Sequence, residues 1–179
     1  MFVSMLKNIC LSVDRLVKLA GQAAALLMPV LAFVVAFEVF SRYILNSPTV
    51  WAFDLSLFLF GYIAALGGAY AQQKRAHINV DILYVRVPHK TRSVFNLVSY
   101  GLGLFFLFLV FQMSLGKYEE AIEFDYRRQS EWAPPMFHFW LMICVAAGLF
   151  IVQLLRDLLI EVYFLFSGKR LIEAENDRH

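Results

Sequence analysis

The sequence predicts an all-α integral membrane protein, a four-helix bundle preceded by an amphipathic helix at the membrane surface. The chain has 179 residues, of which 60% are hydrophobic and 16% aromatic. Four stretches of 19, 19, 24 and 24 residues contain no Asp, Glu, Lys or Arg, namely Leu19–Phe37, Leu55–Gln73, Ser93–Gly116 and Trp132–Leu155. A helix needs about 20 predominantly apolar residues to cross a bilayer core of roughly 30 Å, so each stretch can span it. Transmembrane β-strands would show short alternating segments instead, and these stretches do not alternate.

The first eighteen residues are too polar to span a bilayer and are predicted to form a separate amphipathic helix on the cytoplasmic surface. Charged residues such as Asp14, Arg15 and Lys18 fall on one face of this helix. Apolar residues at helical spacing form the other face, and they are Phe2, Met5, Leu6, Ile9, Val13, Leu16 and Val17. The transmembrane domain is then expected to cover residues 19–168, followed by a charged cytoplasmic tail over residues 169–179.

The four spans are expected at about residues 20–43, 51–72, 93–116 and 134–156. The second span carries small residues four positions apart, which let a neighbouring helix approach closely because packing drives helix association in lipid. These pairs are Gly61 with Ala65 and Ala64 with Gly68. The neighbour can belong to this chain or to a partner. The fourth span is expected to begin at Pro134, because proline suits the first turn of a helix.

Basic residues are distributed unevenly among the loops and terminal segments outside the spans. If successive segments lie on alternate sides of the membrane, twelve of the sixteen Lys and Arg residues fall on one side. Positively charged residues accumulate on the cytoplasmic side of membrane proteins. Both termini and the loop 74–92 are therefore predicted to be cytoplasmic. The net charge of only +2 implies no nucleic-acid surface.

Three ionisable residues near the outer ends of the first two spans form a candidate polar site. Glu38 and Arg42 lie four residues apart with the acid first, which is the favoured order for a helical ion pair. Asp54 follows across a short turn, so we expect Arg42 to be shared between Glu38 and Asp54. Intramembrane ionisable groups often mark a substrate or ion site. These three lie at span ends rather than at the midplane, which favours a structural ion-pair cluster.

No cofactor, metal site or enzymatic activity is predicted. Haem ligation between spans needs axial ligands inside the bundle, and His138 is the only histidine within a span. Cys10 and Cys144 lack the spacing of metal ligands. Secondary transporters usually show internal repeats and broken helices near the midplane, and no repeat is visible here. The chain is therefore poorly equipped to move a polar solute alone.

A stretch of about 45 residues, from Glu38 to Asp81, resembles a known family. It has an Arg-Tyr pair at the end of span 1, an Asn in the outer turn, and a Trp followed by an acid at the start of span 2. A Gly-Ala segment then leads to a His and a Val-Asp pair in the next loop. This pattern resembles the DctQ-like small membrane subunit of tripartite ATP-independent periplasmic (TRAP) transporters. The matching positions are Arg42, Tyr43, Asn46, Trp51, Asp54, Gly68, Ala69, His77 and Asp81.

The resemblance implies an accessory subunit in a bacterial inner membrane rather than the transport pathway itself. It implies two protein partners: a large multi-span membrane subunit with the substrate and sodium sites, and a soluble periplasmic substrate-binding protein. The solute would be an organic anion, such as a dicarboxylate or a sugar acid like sialic acid. The small subunit would support the large one among the membrane lipids and help to dock the binding protein. A possible docking loop before span 4 contains Glu119, Glu120, Glu123, Asp125, Arg127 and Arg128.

Two other functions remain open at this point. An autonomous four-span, proton-coupled exporter could use Glu38 or Asp54, and transport by the purified chain alone would favour it. A membrane-bound redox subunit would need bound haem, which an absorbance spectrum would reveal.

Overall fold

The fold consists of four long helices, in a computed structural model that describes residues 2–74, 76 and 89–167. The helices are α1 (Phe2–Tyr43), α2 (Ala52–Gln73), α3 (His89–Glu123) and α4 (Phe137–Ser167). Each is long and apolar enough to cross a membrane. The all-α class and the four spans predicted from the charge-free stretches are therefore confirmed. Of the predicted motif positions, His77 and Asp81 lie outside the described residues, as does the tail 169–179.

The N-terminal segment is continuous with the first span. Residues 2–43 form one helix of 42 residues, which is about 63 Å long at 1.5 Å per residue. No helix end separates residue 18 from the span, because the charges there are not accompanied by a helix-stopping residue. The predicted apolar face is packed only in part, since Val17 is buried whereas Ile9 and Leu16 are exposed. Cys10, which lies outside that face, is also buried.

The last two helices extend beyond the predicted spans. The third was expected over residues 93–116 but runs from His89 to Glu123, and the fourth ends at Ser167 rather than near residue 156. A charge marks where a span can leave the hydrocarbon, but it does not stop a helix whose backbone bonds are internal. The fourth helix begins at Phe137 rather than Pro134. Pro135 instead forms an antiparallel bridge with Arg127 in the preceding connection.

The helices do not form a closed four-helix bundle, and the predicted architecture is corrected in this respect. α1, α2 and α4 contact one another, whereas α3 packs chiefly on α4. The molecule is thus a three-helix cluster with α3 attached to one side. Two small apolar cores hold the cluster together, and their buried residues are Ala24, Leu66 and Ala146 in one and Val34, Ala52 and Leu59 in the other.

The small residues of α2 face another helix of the same chain. A Cβ added at Gly61 would come within 2.8 Å of the Phe139 ring, and one added at Gly68 would come within 3.4 Å of the Phe150 ring. Both rings belong to α4. The close neighbour that the sequence left open is therefore intramolecular along this face of α2.

At Gly21, α1 approaches Tyr70 of α2 closely, and replacing this glycine by Ala should destabilise the cluster. The new Cβ would lie 2.7 Å from Cβ of Tyr70, so the two helices must separate. Overpacking of this kind typically costs about 1–3 kcal/mol. The free energy of unfolding in detergent micelles measures the effect.

Gly101→Ala in α3 is the matched control, because nothing lies within 4 Å of a Cβ added there. It should stabilise the protein by up to about 1 kcal/mol, through helix propensity alone. Equal stability of the two variants would contradict the close α1–α2 approach.

Candidate functional site

The charged side chains that the structure describes lie toward the two ends of the helices. We call the end with the α1–α2 turn (44–51) and the α3–α4 connection (124–136) the loop end. At the loop end, the Arg42 guanidinium donates to Glu38 Oε1 from Nε at 2.9 Å and from Nη2 at 2.5 Å. The other carboxylate oxygen of Glu38 accepts from the Thr49 backbone N–H at 3.1 Å and from the Thr49 hydroxyl. Glu38 thereby ties the end of α1 to the turn that follows it.

The α1–α2 turn is closed by a second set of bonds that explains one motif position. The Ser41 hydroxyl donates to the Ser47 carbonyl at 2.9 Å, and the Ser47 N–H donates to the Ser41 carbonyl at 3.0 Å. Between them, Asn46 has a φ of 50°. Asn enters this left-handed region more readily than most residues, because its short polar side chain can bond locally. Asn46 therefore has a structural reason to occupy the turn.

Asp54 is not part of the Glu38–Arg42 pair, contrary to the expectation that Arg42 is shared. Its side chain is only 1% exposed, and its Oδ1 atom lies 2.6 Å from Nε of Arg128, in an ion pair without ideal hydrogen-bond alignment. The Ser130 hydroxyl donates to the other oxygen. Asp54 thus fastens the α3–α4 connection to the first turn of α2. Arg42 does not need to contact Asp54, because its guanidinium already donates to Glu38.

The predicted docking loop is shorter than expected, because half of its residues belong to α3. Glu119, Glu120 and Glu123 lie on the last turns of that helix, and Glu120 accepts from Lys117 at 2.6 Å. In the connection itself, Asp125 is 69% exposed and pairs with Arg127 at 3.0 Å. Arg128 is the exception, since its charge is turned inward to Asp54.

Two further motif positions have packing roles in the structure. The Trp51 ring stacks on Phe37 of α1 with ring centroids 5.9 Å apart. Ala69 is fully buried in α2. Tyr43 differs from both, because its side chain is largely exposed at the loop end.

The opposite end holds a polar cluster that the sequence reasoning missed. Arg156 of α4 donates from Nη2 to Asp14 of α1 at 2.6 Å, and from Nη1 to Asp157 at 2.9 Å. Gln72 of α2 donates to Asp157 at 3.2 Å, and Gln73 donates to the Asp14 carbonyl at 2.8 Å. We call these five residues the Arg156 cluster. It joins α1, α2 and α4 through charge-assisted bonds, which are stronger than neutral ones.

Sequence signals for this cluster did exist. Gln153, which is fully buried, donates to Asp157. Polar residues in spans are rare and usually face other protein groups, so the Gln residues near the ends of α2 and α4 marked the helix faces that meet. Similarly, Asn96 of α3 donates to Glu161 of α4 at 2.8 Å. Because Asp14 was assigned to a surface helix, its pairing with Arg156 was not predicted.

The Arg156 cluster and the Glu38–Arg42 pair at the loop end are separated by about the thickness of a membrane. Asp14 and Glu38 are 24 residues apart on α1, which corresponds to about 36 Å of helix. The hydrocarbon core is about 30 Å thick. A cavity of about 30 Å³ lies beside the Arg156 cluster.

The one histidine predicted to lie in a span has a structural partner. Nδ1 of His138 lies 2.5 Å from the Tyr62 hydroxyl, and the His138 ring meets Phe58 edge-on at 4.7 Å. Within residues 2–74, 76 and 89–167, no three His, Cys, Asp or Glu side chains are grouped as metal ligands would be.

Comparison with known proteins identifies a family for this architecture. The family described as "Tripartite ATP-independent periplasmic transporters, DctQ component" matches residues 31–162. The sialic acid TRAP transporter small permease protein SiaQ of Vibrio cholerae is 27% identical over 92 residues, which are 51% of this chain and 50% of SiaQ. The C4-dicarboxylate TRAP transporter small permease protein DctQ of the same organism is 29% identical over 73 residues, 41% of this chain and 32% of that protein.

A third relative is a longer protein. The sialic acid TRAP transporter permease protein SiaT of Haemophilus influenzae is 29% identical over 84 residues, which are 47% of this chain but 14% of SiaT. The matched segments thus span about half the length of the curated relatives or less. The family match itself covers well over half of the present chain, including all of α2 and α3, most of α4 and the last third of α1. It concerns a transporter component rather than an enzyme and gives no support to the autonomous exporter. The chain is a multi-pass membrane protein that belongs to the DctQ component family of tripartite ATP-independent periplasmic transporters.

Proposed function

We propose that this chain is the small, non-conducting subunit of a sodium-coupled TRAP transporter in a bacterial inner membrane. It supports a large membrane subunit that carries the solute, and its loop end helps to dock a soluble periplasmic binding protein. Both termini face the cytoplasm, as the excess of Lys and Arg on that side favours. The names of the relatives, which mention sialic acid and C4-dicarboxylates, support an organic anion as the solute.

The observation that carries this proposal is where the polar groups of the described helices are used. Glu38, Asp54 and Arg156 each bind other side chains or turns of the same chain, at the two ends of the molecule. The apolar cores between those ends consist of residues such as Ala24, Leu66 and Leu59. A solute path needs polar groups that remain available to the solute. This arrangement supports a scaffold rather than a conduit.

The length of SiaT supports a large membrane partner. Since the 84 matched residues are 14% of that protein, SiaT has about 600 residues. A segment similar to this small chain therefore occurs within a much longer permease. We infer that this chain associates with a separate membrane protein, about as large as the remainder of such a permease.

Reconstitution tests the proposed function directly. The chain, the large membrane protein encoded next to it and the corresponding binding protein are placed in liposomes with a sodium gradient. We expect uptake of a radiolabelled sugar acid or dicarboxylate only when all three proteins are present. Solute transport by the purified chain alone would refute the scaffold role.

Replacing Arg42 by Ala should reduce uptake several-fold without changing the affinity of the binding protein for its solute. The substitution leaves Glu38 with Thr49 as its remaining partner, so the end of α1 loses an ion pair at the loop end. Uptake by reconstituted complexes and solute binding by the isolated binding protein are measured in parallel. Arg15→Ala is the control, because Arg15 is also an exposed residue of α1 but lies far from the loop end. Uptake at the wild-type rate by the Arg42→Ala complex would contradict the prediction.

A further inference from the structure

An apolar groove runs along α1 and α2 toward the loop end. Its volume is about 390 Å³. We call it the α1–α2 groove, and its apolar walls are formed by Leu31, Val35, Val39, Phe53, Leu57 and Phe60. Glu38 and Arg42 also line the groove, so a charged pair borders an apolar trough.

The Arg42 side chain has hydrogen-bonding capacity beyond its pair with Glu38. A guanidinium carries five N–H donors, and the contacts with Glu38 use Nε and Nη2. Half of the Arg42 side chain remains accessible, whereas Glu38 is largely covered. The groove therefore presents donors of a positively charged group, and a partner that complements it must offer an acceptor.

The surface of the groove continues into an exposed apolar turn. Tyr43, Ile44, Leu45 and Val50 follow or face the end of α1, and each is more than half exposed. They lie beyond the Glu38–Arg42 pair, which is already about 36 Å of helix away from Asp14. A hydrocarbon core of about 30 Å that began at Asp14 would end before this turn. Contiguous exposed apolar surface of this kind marks interaction with another protein or with a membrane.

The exposed face of α3 has a different chemistry. On its middle turns the outward residues are apolar except for Ser99 and Gln112, and they include Leu102, Phe105, Phe106, Leu109 and Met113. Unlike the groove, these turns carry no charged side chain. Lipid tails are sufficient to cover this face.

We propose that the α1–α2 groove and the adjoining turn are the surface on which the large membrane subunit of the transporter sits. The occupant is an apolar membrane helix of that subunit, which places a hydrogen-bond acceptor against Arg42. The face of α3 remains in contact with lipid. This inference rests on the proposed function, because it presumes that the chain has a large membrane partner.

Photo-crosslinking in the complex tests the proposal with closely matched positions. p-Benzoylphenylalanine replaces Phe60 or Phe53 in the groove, and Phe106 or Phe105 on α3 as controls. Phe60 is 63% exposed and Phe106 is 64% exposed, so a difference in cross-linking does not arise from accessibility. On irradiation, we expect the groove positions to cross-link to the large subunit. We expect no such product from the α3 positions.

Three results would overturn the proposed surface while leaving the proposed function intact. They are groove cross-links to phospholipid alone, groove cross-links to a second copy of this chain, and cross-links to the large subunit from α3 but not from the groove. Copurification of the large subunit with the wild-type chain is scored first. Its failure would refute the proposed function and this inference together.

Discussion

Replacing Arg156 by Ala should lower the free energy of unfolding by about 3–5 kcal/mol, because two carboxylates then lose their shared cation. Asp14 and Asp157 both contact this guanidinium, at 2.6 and 2.9 Å, and all three side chains are mostly covered. The carboxylates are on different helices, so their repulsion acts directly on the packing of α1 against α4. Removing one partner of a buried ion pair lowers the free energy of unfolding more than replacing both partners by apolar residues does. Unfolding in detergent micelles, followed by circular dichroism, measures the loss.

A double-mutant cycle separates the ion pair from side-chain packing. Arg156→Ala, Asp14→Asn and the combined variant should give a non-additive result, since groups in one network typically couple by about 0.5–3 kcal/mol. Arg127→Ala is the surface control and should stay within about 0.5 kcal/mol of the wild type. Strict additivity in the cycle would show that Asp14 and Arg156 do not stabilise each other.

Replacing Asp54 by Ala should cost about 3 kcal/mol or more and release the α3–α4 connection from α2. The aspartate is 1% exposed and bonds both Arg128 and Ser130. After the substitution, the Arg128 guanidinium, which also lies over the Phe53 ring at 5.7 Å, has lost its counter-ion in a mostly buried position. Unfolding in detergent and the rate of limited proteolysis within residues 124–136 measure the two effects.

Arg127→Ala is the control for this experiment. Arg127 lies in the same connection but is 55% exposed, and exposed ion pairs contribute at most about 1 kcal/mol. Asp54→Asn should be intermediate, since it keeps an acceptor for Ser130 but loses the charge. Equal proteolysis of the Asp54→Ala and Arg127→Ala variants would show that Asp54 does not hold the connection.

The number and class of the helices could be predicted because lipid leaves few alternatives. A charge-free stretch of about 20 residues must satisfy its own backbone hydrogen bonds, and a helix does so locally. Helix ends were less predictable for the same reason. Charges such as Lys117 and Arg156 mark departures from the hydrocarbon, yet the helical hydrogen bonds continue through both residues.

The partners of the charged residues were predictable only when they were neighbours on one helix. Glu38 and Arg42 are four residues apart, and the geometry of a helix brings such residues together. Asp54 and Arg128 belong to segments that meet only after α3 and α4 have packed. Asp14 and Arg156 are 142 residues apart. Their contact also requires α1 to continue unbroken through residue 18, which the amphipathic pattern did not indicate.

The continuous first helix has a mechanical consequence. It is about 63 Å long, roughly twice the thickness of the hydrocarbon. It is fixed near one end through Glu38 to the turn, and about 18 Å from its other end through Asp14 to Arg156. A displacement of the α1–α2 turn would therefore be passed along a single helix to the Arg156 cluster, without any solute passing through this chain.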